Sequence, residues 1–420
     1  MTAALFAQIF LAAVILSLAT RLWLALRQMR HVAAHRQLVP AAFTERVSLA
    51  AHQKAADYTC AKTRLGLVET VLETALLIWL TLGGGAAWVF GLARELFTQP
   101  MFSDTALIVG VMLISGLLSL PFSLYATFVI EERFGFNRMG WKLWLADLLK
   151  SLALGAALGL PLLLLVLWLM ARMGAWWWLY VWLAWTAFQL LLLAIYPTFI
   201  APMFNKFSPL TEERVRAAVE ALLARCGFRS RGLFVMDGSR RSSHGNAYFT
   251  GFGAAKRIVF FDTLLTRLTP PEVVAVLAHE LGHFKRRHVL KRMAWIFGAS
   301  LAFLWLLSWL MLQPWFYAGL GLPGAAVPPH FGVALLLFFL ALPQLSFLLT
   351  PLASMYSRRH EFEADRYAAE QAEAQDLVRA LVKLYEDNAS TLTPDPLYSA
   401  FYDSHPPAAL RVARLAGTSA

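Results

Sequence analysis

The feature that most constrains this chain is a stretch from Met293 to Ser357 that contains no Asp, Glu, Lys or Arg. A helix crosses a bilayer with about 20 predominantly apolar residues, so this stretch is long enough for two crossings. Its middle, from Gln313 to His330, contains clusters of Gly and Pro, which predict a turn. The stretch therefore predicts a hairpin of two membrane helices.

Five further uncharged runs have the length of a membrane helix: 3–20, 74–93, 105–130, 151–171 and 173–205. Of the 420 residues, 59% are hydrophobic and 15% are charged, whereas soluble domains have about 45–50% apolar and about 25% charged residues. The same composition excludes a disordered chain, which needs low hydrophobicity and a high charge density. We therefore predict a multi-pass α-helical membrane protein with seven transmembrane helices.

The basic residues predict the orientation of these helices. The segment 27–64 carries seven Lys or Arg residues and two acidic ones, which places it on the cytoplasmic side of the membrane. Alternation of the spans then puts the N-terminus outside and the C-terminus in the cytoplasm. The net charge of +11 is explained by such flanking residues, so no nucleic-acid partner is expected.

Four regions follow from this topology. An N-terminal membrane region with five spans occupies 1–205, and a membrane hairpin occupies 293–357. The polar blocks 206–292 and 358–420 lie on the same side, and together they have about the size of one domain. Only two cysteines are present, Cys60 and Cys226, which excludes a disulfide scaffold and a cysteine-based metal cluster.

The first polar block contains Ala278-His279-Glu280-Leu281-Gly282-His283, an H-E-x-x-H motif. Residues four apart face the same way on a helix, so both imidazoles can bind one zinc ion, with Glu280 beside the attacking water as general base. A capping box with proline at the first helical position, Thr269-Pro270-Pro271-Glu272, predicts the start of that helix. The alternative is two solvent-facing histidines on a surface helix, which the apolar run 273–277 disfavours.

A catalytic zinc ion takes three protein ligands and leaves one position for water. The nearest further histidine, His288, follows His283 by five residues and is expected to point away from the motif's face. In the second polar block, Glu361 and Asp365 are four residues apart and share a helical face. One carboxylate can bind the metal while the other holds a ligand histidine, and we favour Glu361 as the ligand. Glu363 is expected to face elsewhere.

Two other segments are candidates for substrate handling. His244 and Asn246 precede an alternating run through Ala247, Tyr248 and Phe249, and a second short strand is predicted at 257–262. A sheet edge beside the metal helix can bind an extended peptide through main-chain hydrogen bonds. Near the C-terminus, His405 starts a helix that carries Arg411, and both side chains can stabilise an oxyanion. From the residues alone, an ordinary loop explains each segment equally well.

These motifs resemble those of the type I CAAX prenyl endopeptidases, integral-membrane zinc metalloproteases of the gluzincin type. The shared stretches run over nearly the whole chain: 130–137 (IEERFGFN), 196–207, 237–251, 279–283, 361–365 and 404–407. The resemblance implies seven helices that enclose a water-filled chamber, with a gluzincin-like protease domain and a small β-sheet at its cytoplasmic end.

The resemblance also implies the roles of individual residues. It implies one Zn²⁺ per chain, bound by His279, His283 and Glu361, with Asp365 behind the ligands and Glu280 as the catalytic base. It implies that His405 and Arg411 face the transition state. Finally, it implies that a segment of the sheet binds the substrate backbone: His244, Asn246, Ala247, Tyr248 and Phe249.

The substrate and the host membrane are expected from the same resemblance. The substrate is expected to be a prenylated, CAAX-type polypeptide or another membrane-associated polypeptide, cleaved near its C-terminus. The composition, rich in Ala, Leu, Arg and Trp, indicates a bacterial inner membrane, and in a eukaryotic host the endoplasmic reticulum membrane is expected.

Two alternatives remain. The first is a quality-control metalloprotease of membrane proteins that does not depend on prenylation. The second is a seven-helix transporter or receptor in which the H-E-x-x-H motif is incidental, and in which Glu69 and Glu73, one helical turn apart, form an ion path.

Overall fold

A computed structural model describes residues 1–228, 230–250, 257–326 and 330–417 of the chain. Its helices are α1 (Ala3–Ala34), α2 (Leu49–Leu80), α3 (Gly85–Leu96), α4 (Pro100–Tyr125), α5 (Trp141–Arg172), α6 (Trp177–Ile195), α7 (Ala201–Phe204), α8 (Glu213–Arg225), α9 (Asp262–Leu265), α10 (Pro270–Lys285), α11 (His288–Leu310), α12 (Pro314–Gly319), α13 (Phe331–Ser346), α14 (Thr350–Gln371), α15 (Ala374–Asp387), α16 (Pro396–Tyr402) and α17 (Ala408–Gly417). Short π-helical turns, Ala126–Glu131 and Tyr196–Ile200, extend α4 and α6.

Six helical segments are long and apolar enough to cross a membrane. They are Ala3–Ala34, Pro100–Glu131, Trp141–Arg172, Gly174–Phe204, His288–Leu310 and Phe331–Gln371. The count is seven, as predicted, if α2 and α3 together form one bent span. Side chains such as Leu117 and Trp295 are 69% and 71% exposed, which suits a surface surrounded by lipid tails.

The predicted span at 74–93 is wrong as a continuous helix. Helix α2 ends at Leu80, and α3 leaves it at an angle of 59°. The cause is three consecutive glycines in the connection. Gly84 has a φ of 77°, in the left-handed region, and a Cβ at Gly85 would lie 2.6 Å from the Trp79 ring. The uncharged run 74–93 therefore continues through a break between two helices, and apolar composition alone does not show such a break.

The basic segment 27–64 is also mostly helical rather than a loop. Helix α1 continues to Ala34 and α2 begins at Leu49, so only residues 35–48 connect them. The charged side chains cross-link these extensions: Arg36 pairs with Asp57 at 2.8 Å, and Arg27 pairs with Asp395 at 2.8 Å. Both helices therefore project beyond their apolar portions and contact the C-terminal part of the chain.

A four-stranded sheet lies in the first polar block, with the strand order β1-β2-β4-β3. The strands are β1 (Phe207–Pro209), β2 (Leu233–Met236), β3 (Ala247–Thr250) and β4 (Arg257–Phe261). Strands β2 and β4 are parallel, and the other two pairs are antiparallel. The two predicted strands are present, although β4 ends at Phe261 because Asp262 begins α9. Gly251, which belongs to one of the stretches shared with the family, lies outside the described residues. Strand β3 is an edge strand.

Within the described residues, two large hydrophobic cores and a smaller cluster around Tyr58 hold the molecule together. One lies among the membrane helices and includes Phe10, Leu107 and Leu337. The other surrounds α10 and gathers side chains from α8, α14, α15 and α17. Val39, Phe43 and Val47, all in the connection between α1 and α2, belong to this second core. The first membrane hairpin is therefore anchored in the core that holds the H-E-x-x-H helix.

Helices α10 and α14 approach each other closely at Gly282. A Cβ at Gly282 would lie 2.9 Å from the Cα of Ala364 and 3.2 Å from the Cβ of Tyr367. These neighbours are backbone or backbone-proximal atoms, so they have no rotamer by which to move away. The absence of a side chain at Gly282 therefore sets the separation of the two helices.

Gly282→Ala should lower the thermal stability of the purified protein in detergent. Alanine favours a helix over glycine by about 1 kcal/mol, but the overpacked contact with α14 should cost about 1–3 kcal/mol. The control is Gly298→Ala on α11, where a Cβ meets open space. An equal or higher Tm for Gly282→Ala than for Gly298→Ala would contradict this account of the packing.

Candidate metal centre

Helix α10 begins as the sequence predicts. Its capping box is formed, with the Thr269 amide donating to Glu272 at 2.7 Å, and Pro270 occupies the first turn. Burial raises the pKa of Glu272, but the Lys383 ammonium and the Thr269 donors outweigh this effect and hold the pKa below its usual value. The apolar residues of α10 face the second core, which fixes the direction of its two histidines.

The three predicted ligands converge on one point. The Nε2 atoms of His279 and His283 lie 3.2 Å apart. The Glu361 carboxylate lies 3.5 Å from Nε2 of His279 and 3.3 Å from Nε2 of His283. One ligand atom from each residue lies within 4.8 Å of the others, a spacing that suits a single bound metal ion.

A buried ion pair supports the first histidine from behind. Nδ1 of His279 lies 2.8 Å from Asp365, and Arg411 donates two hydrogen bonds to the same carboxylate at 2.6 and 2.9 Å. All three side chains are buried. Burial lowers the pKa of His279, but the carboxylates of Asp365 and Glu361 outweigh it and raise that pKa to about 9. The pocket therefore favours positive charge at the point where the ligands meet.

The second histidine has support that the sequence did not predict. His288 was expected to point away, yet its Nδ1 lies 3.0 Å from Nδ1 of His283. Glu363 faces away from the metal ligands, as expected, and its carboxylate lies 3.1 Å from Nε2 of His288. The expectation for His288 was wrong because it assumed that one straight helix continued past Lys285. Arg287, with a φ of 56°, breaks the helix and returns the chain toward His283.

The other predicted residues of the centre are His405, Arg411 and Glu280, and His405 lies on its solvent-exposed side. Nδ1 of His405 lies 2.7 Å from the Glu361 carboxylate, and the His405 side chain is 61% exposed. The predicted helix after Pro407 is present as α17, and it carries Arg411 inward to Asp365. Glu280 lies between the two histidines in the sequence, and its side chain is partly exposed.

Two adjoining cavities meet this solvent-exposed side. One, of about 510 Å³, is lined by Tyr385, His405 and Arg411. The other, of about 640 Å³, is lined by Tyr58, His244 and Asn246. They share the lining residues Thr59, Leu384, Asn388, Ser390 and Tyr398. The two cavities therefore adjoin each other, and polar and apolar side chains both line the space beside His405 and Arg411.

The predicted substrate segment borders the second cavity. His244 is fixed through both ring nitrogens, to Asn388 at 3.1 Å and to Glu131 at 3.3 Å, and it stacks on Phe136. Asn246 lines the cavity, and β3 follows it with Ala247, Tyr248 and Phe249; among the described residues these pair with β4 on one side only. Burial raises the pKa of Tyr248 to about 12, so its phenol stays neutral. Asn388 and Glu131 were missed as partners of His244, because neither is near it in sequence.

Comparison with known proteins assigns the chain to a family. Residues 28–206 match the family described as CAAX prenyl protease N-terminal, five membrane helices, and residues 209–419 match peptidase family M48. The chain is 39% identical to CAAX prenyl protease 1 of Saccharomyces cerevisiae, over 72% of this chain and 69% of that protein. It is 32% identical to the CAAX prenyl protease 1 homolog of Caenorhabditis elegans, over 91% of this chain and 92% of that protein.

The fold agrees with this assignment. The chain matches the crystal structure of S. mikatae Ste24p with a TM-score of 0.90 and 31% sequence identity, over 98% of this chain and 99% of that one. The resemblance inferred from the motifs is therefore confirmed, and the alternative of a transporter or receptor is set aside. The chain belongs to peptidase family M48, and it is a multi-pass membrane metalloendopeptidase.

Proposed function

We propose that the metal is zinc, and that the enzyme hydrolyses peptide bonds in polypeptides that reach the chamber from the membrane. The observation that carries the proposal is the convergence of His279, His283 and Glu361 on one point, and Glu280 follows His279 directly in the chain. Two imidazole nitrogens and one carboxylate oxygen are a ligand set typical of catalytic zinc. The buried carboxylates of Glu361 and Asp365 lie 3.5 and 2.8 Å from the His279 ring, and a bound cation would compensate this buried negative charge.

When bound, zinc would polarise the scissile carbonyl and lower the pKa of a water molecule. Glu280 takes the proton from the attacking water and passes it to the leaving amine, as a general base and then a general acid. His405 lines the cavity and contacts Glu361 through Nδ1, which leaves its Nε2 to donate to the developing oxyanion. Arg411 lines the same cavity and keeps its positive charge, because Asp365 raises its pKa against the opposing effect of burial. We propose that this charge also stabilises the oxyanion.

The substrate backbone is proposed to bind along the free edge of β3. Ala247, Tyr248 and Phe249 pair with β4 on one side, so their other main-chain groups can add an extended peptide as a further strand. His244 and Asn246 lie at the start of this edge and line the cavity. Because such binding uses main-chain groups, it positions the scissile bond with little dependence on sequence.

Glu280→Gln should retain zinc and lose activity. The amide keeps the size of the side chain but cannot take a proton, so turnover should fall about a thousandfold or more. Zinc content by atomic absorption and cleavage of a fluorogenic peptide test this in one preparation. Glu370→Gln, a change on α14 away from the ligands, is the control. Proteolysis near the wild-type rate by zinc-loaded Glu280→Gln would remove Glu280 from the mechanism.

The substrate class is proposed from the relatives. Proteins named CAAX prenyl protease 1 are 39% and 33% identical to this chain in two yeasts. We propose that prenylated CAAX-type polypeptides are cleaved near their C-terminus. A second candidate, cleavage of unmodified membrane-associated proteins, is supported by three polar side chains in the cavity lining, Thr59, Asn388 and Ser390, which offer hydrogen bonds to a bare peptide.

Farnesylated and unmodified versions of one CAAX peptide separate the two candidates. If the prenyl group is recognised, the farnesylated peptide should have at least a tenfold higher kcat/KM, since burying its apolar surface supplies binding free energy at about 25 cal/mol per Å². The unmodified peptide with the same sequence is the matched control. Equal kcat/KM values for both peptides would favour the quality-control protease.

We further propose that the N-terminus lies outside and that 206–292 and 358–420 are cytoplasmic halves of one protease domain, separated by the membrane hairpin 293–357. The support is the basic segment 27–64 and the common core that both halves share. The boundary near 357 falls inside α14, so the last span continues into the protease domain without a linker. The membrane is proposed to be the bacterial inner membrane, or the endoplasmic reticulum membrane in a eukaryotic host.

A reporter fused after Ala420 should be cytoplasmic, and one inserted near Gly321 should be on the opposite side. The basic residues of 27–64 set this arrangement through the positive-inside rule. A paired reporter set that is active only in the cytoplasm or only outside it measures both positions. Both reporters on the same side would contradict the orientation or the number of spans.

A further inference from the structure

We propose that His288 and Glu363 form a hydrogen-bonded relay that positions His283 as a metal ligand. The relay consists of two contacts: 3.0 Å between the Nδ1 atoms of His283 and His288, and 3.1 Å between Nε2 of His288 and the Glu363 carboxylate. His288 is 2% exposed. A polar ring buried this deeply needs partners for both nitrogens, and these two contacts supply them.

The protons of the relay have one consistent arrangement once Nε2 of His283 is used for the metal. Nδ1 of His283 then carries the hydrogen and donates it to Nδ1 of His288. Nε2 of His288 carries its own hydrogen and donates it to the anionic Glu363. The chain of donors fixes the tautomer and the ring plane of His283, and the carboxylate at its end raises the basicity of the ligand nitrogen.

The relay mirrors the support of the other histidine. His279 has Asp365 behind it, and Arg411 completes that pair. Helix α14 supplies Asp365, Glu363 and the ligand Glu361 within five positions. One helix thus provides the third ligand and a carboxylate for each imidazole, so the position of α14 controls the orientation of all three donors.

The backbone around His288 places it for this role. Arg287 adopts a left-handed conformation, which is unfavourable for a residue with a Cβ. This turn ends α10 and starts the membrane helix α11 at His288. The His288 ring then stacks on His360 of α14, with centroids 4.0 Å apart. The relay therefore connects a metal ligand to the first residue of a membrane span.

Zinc affinity of the full-length protein in detergent tests the relay, which rests on the proposed zinc site. His288→Phe keeps a ring to stack on His360 but removes both nitrogens, so zinc affinity should fall about 10–100-fold in competition with a chelator. His288→Gln can still accept from His283 and donate to Glu363, and should recover most of the affinity. Glu363→Ala should weaken zinc binding in the same direction. Arg359→Gln is the control, because Arg359 contacts Glu363 at 3.3 Å but is largely exposed and outside the relay.

The Tm of each protein after removal of the metal separates positioning from folding. We expect His288→Phe and wild type to unfold at similar temperatures without metal and to differ only in zinc affinity. Wild-type affinity in His288→Phe, or a loss in His288→Gln as large as in His288→Phe, would overturn the relay. A wild-type protein that binds no zinc would instead contradict the proposed zinc site, so the two failures are distinguishable.

Discussion

The contact between α10 and α14 is the interaction on which the rest of the site depends. It buries the carboxylates of Glu361 and Asp365 against His279, each at 4% exposure. Removing a carboxylate from water costs several kcal/mol unless cations and hydrogen-bond donors compensate. Arg411 compensates Asp365, and a bound cation would compensate Glu361, so metal binding and the docking of these helices stabilise each other. Gly282 permits the close approach of α10 and α14 on which this mutual stabilisation depends.

The membrane helices determine where that contact lies. Phe331–Gln371 runs as one helical segment from the membrane hairpin to the third ligand, and only two residues separate the end of α10 at Lys285 from the start of α11 at His288. At the other end of the chain, the connection between α1 and α2 inserts Phe43 into the protease core. The protease domain is therefore not attached by a flexible linker at any of these points. Its ligands take their positions from helices that cross the membrane.

The sequence predicted the local parts of this arrangement and missed the parts that depend on breaks in helices. The capping box at Thr269, the i to i+4 histidines and the pair Glu361 and Asp365 are each defined within one helix, so helical periodicity located them. The span at 74–93 was misplaced because glycines break the helix inside an apolar run. His288 was missed for the related reason that five residues place it off a straight helix, whereas the turn at Arg287 brings it back.

The two histidine ligands differ in the elements that hold their imidazole rings. His279 contacts Asp365 and Arg411, whose helices α14 and α17 contribute to the second core around α10. All three of these side chains are buried. His283 is 18% exposed and is held through the first residue of a membrane helix. The contacts of His279 therefore involve α14 and α17, whereas those of His283 involve α14 and also the start of α11. The orientation of His283 thus depends on two segments that are long and apolar enough to cross the membrane, and that of His279 on one.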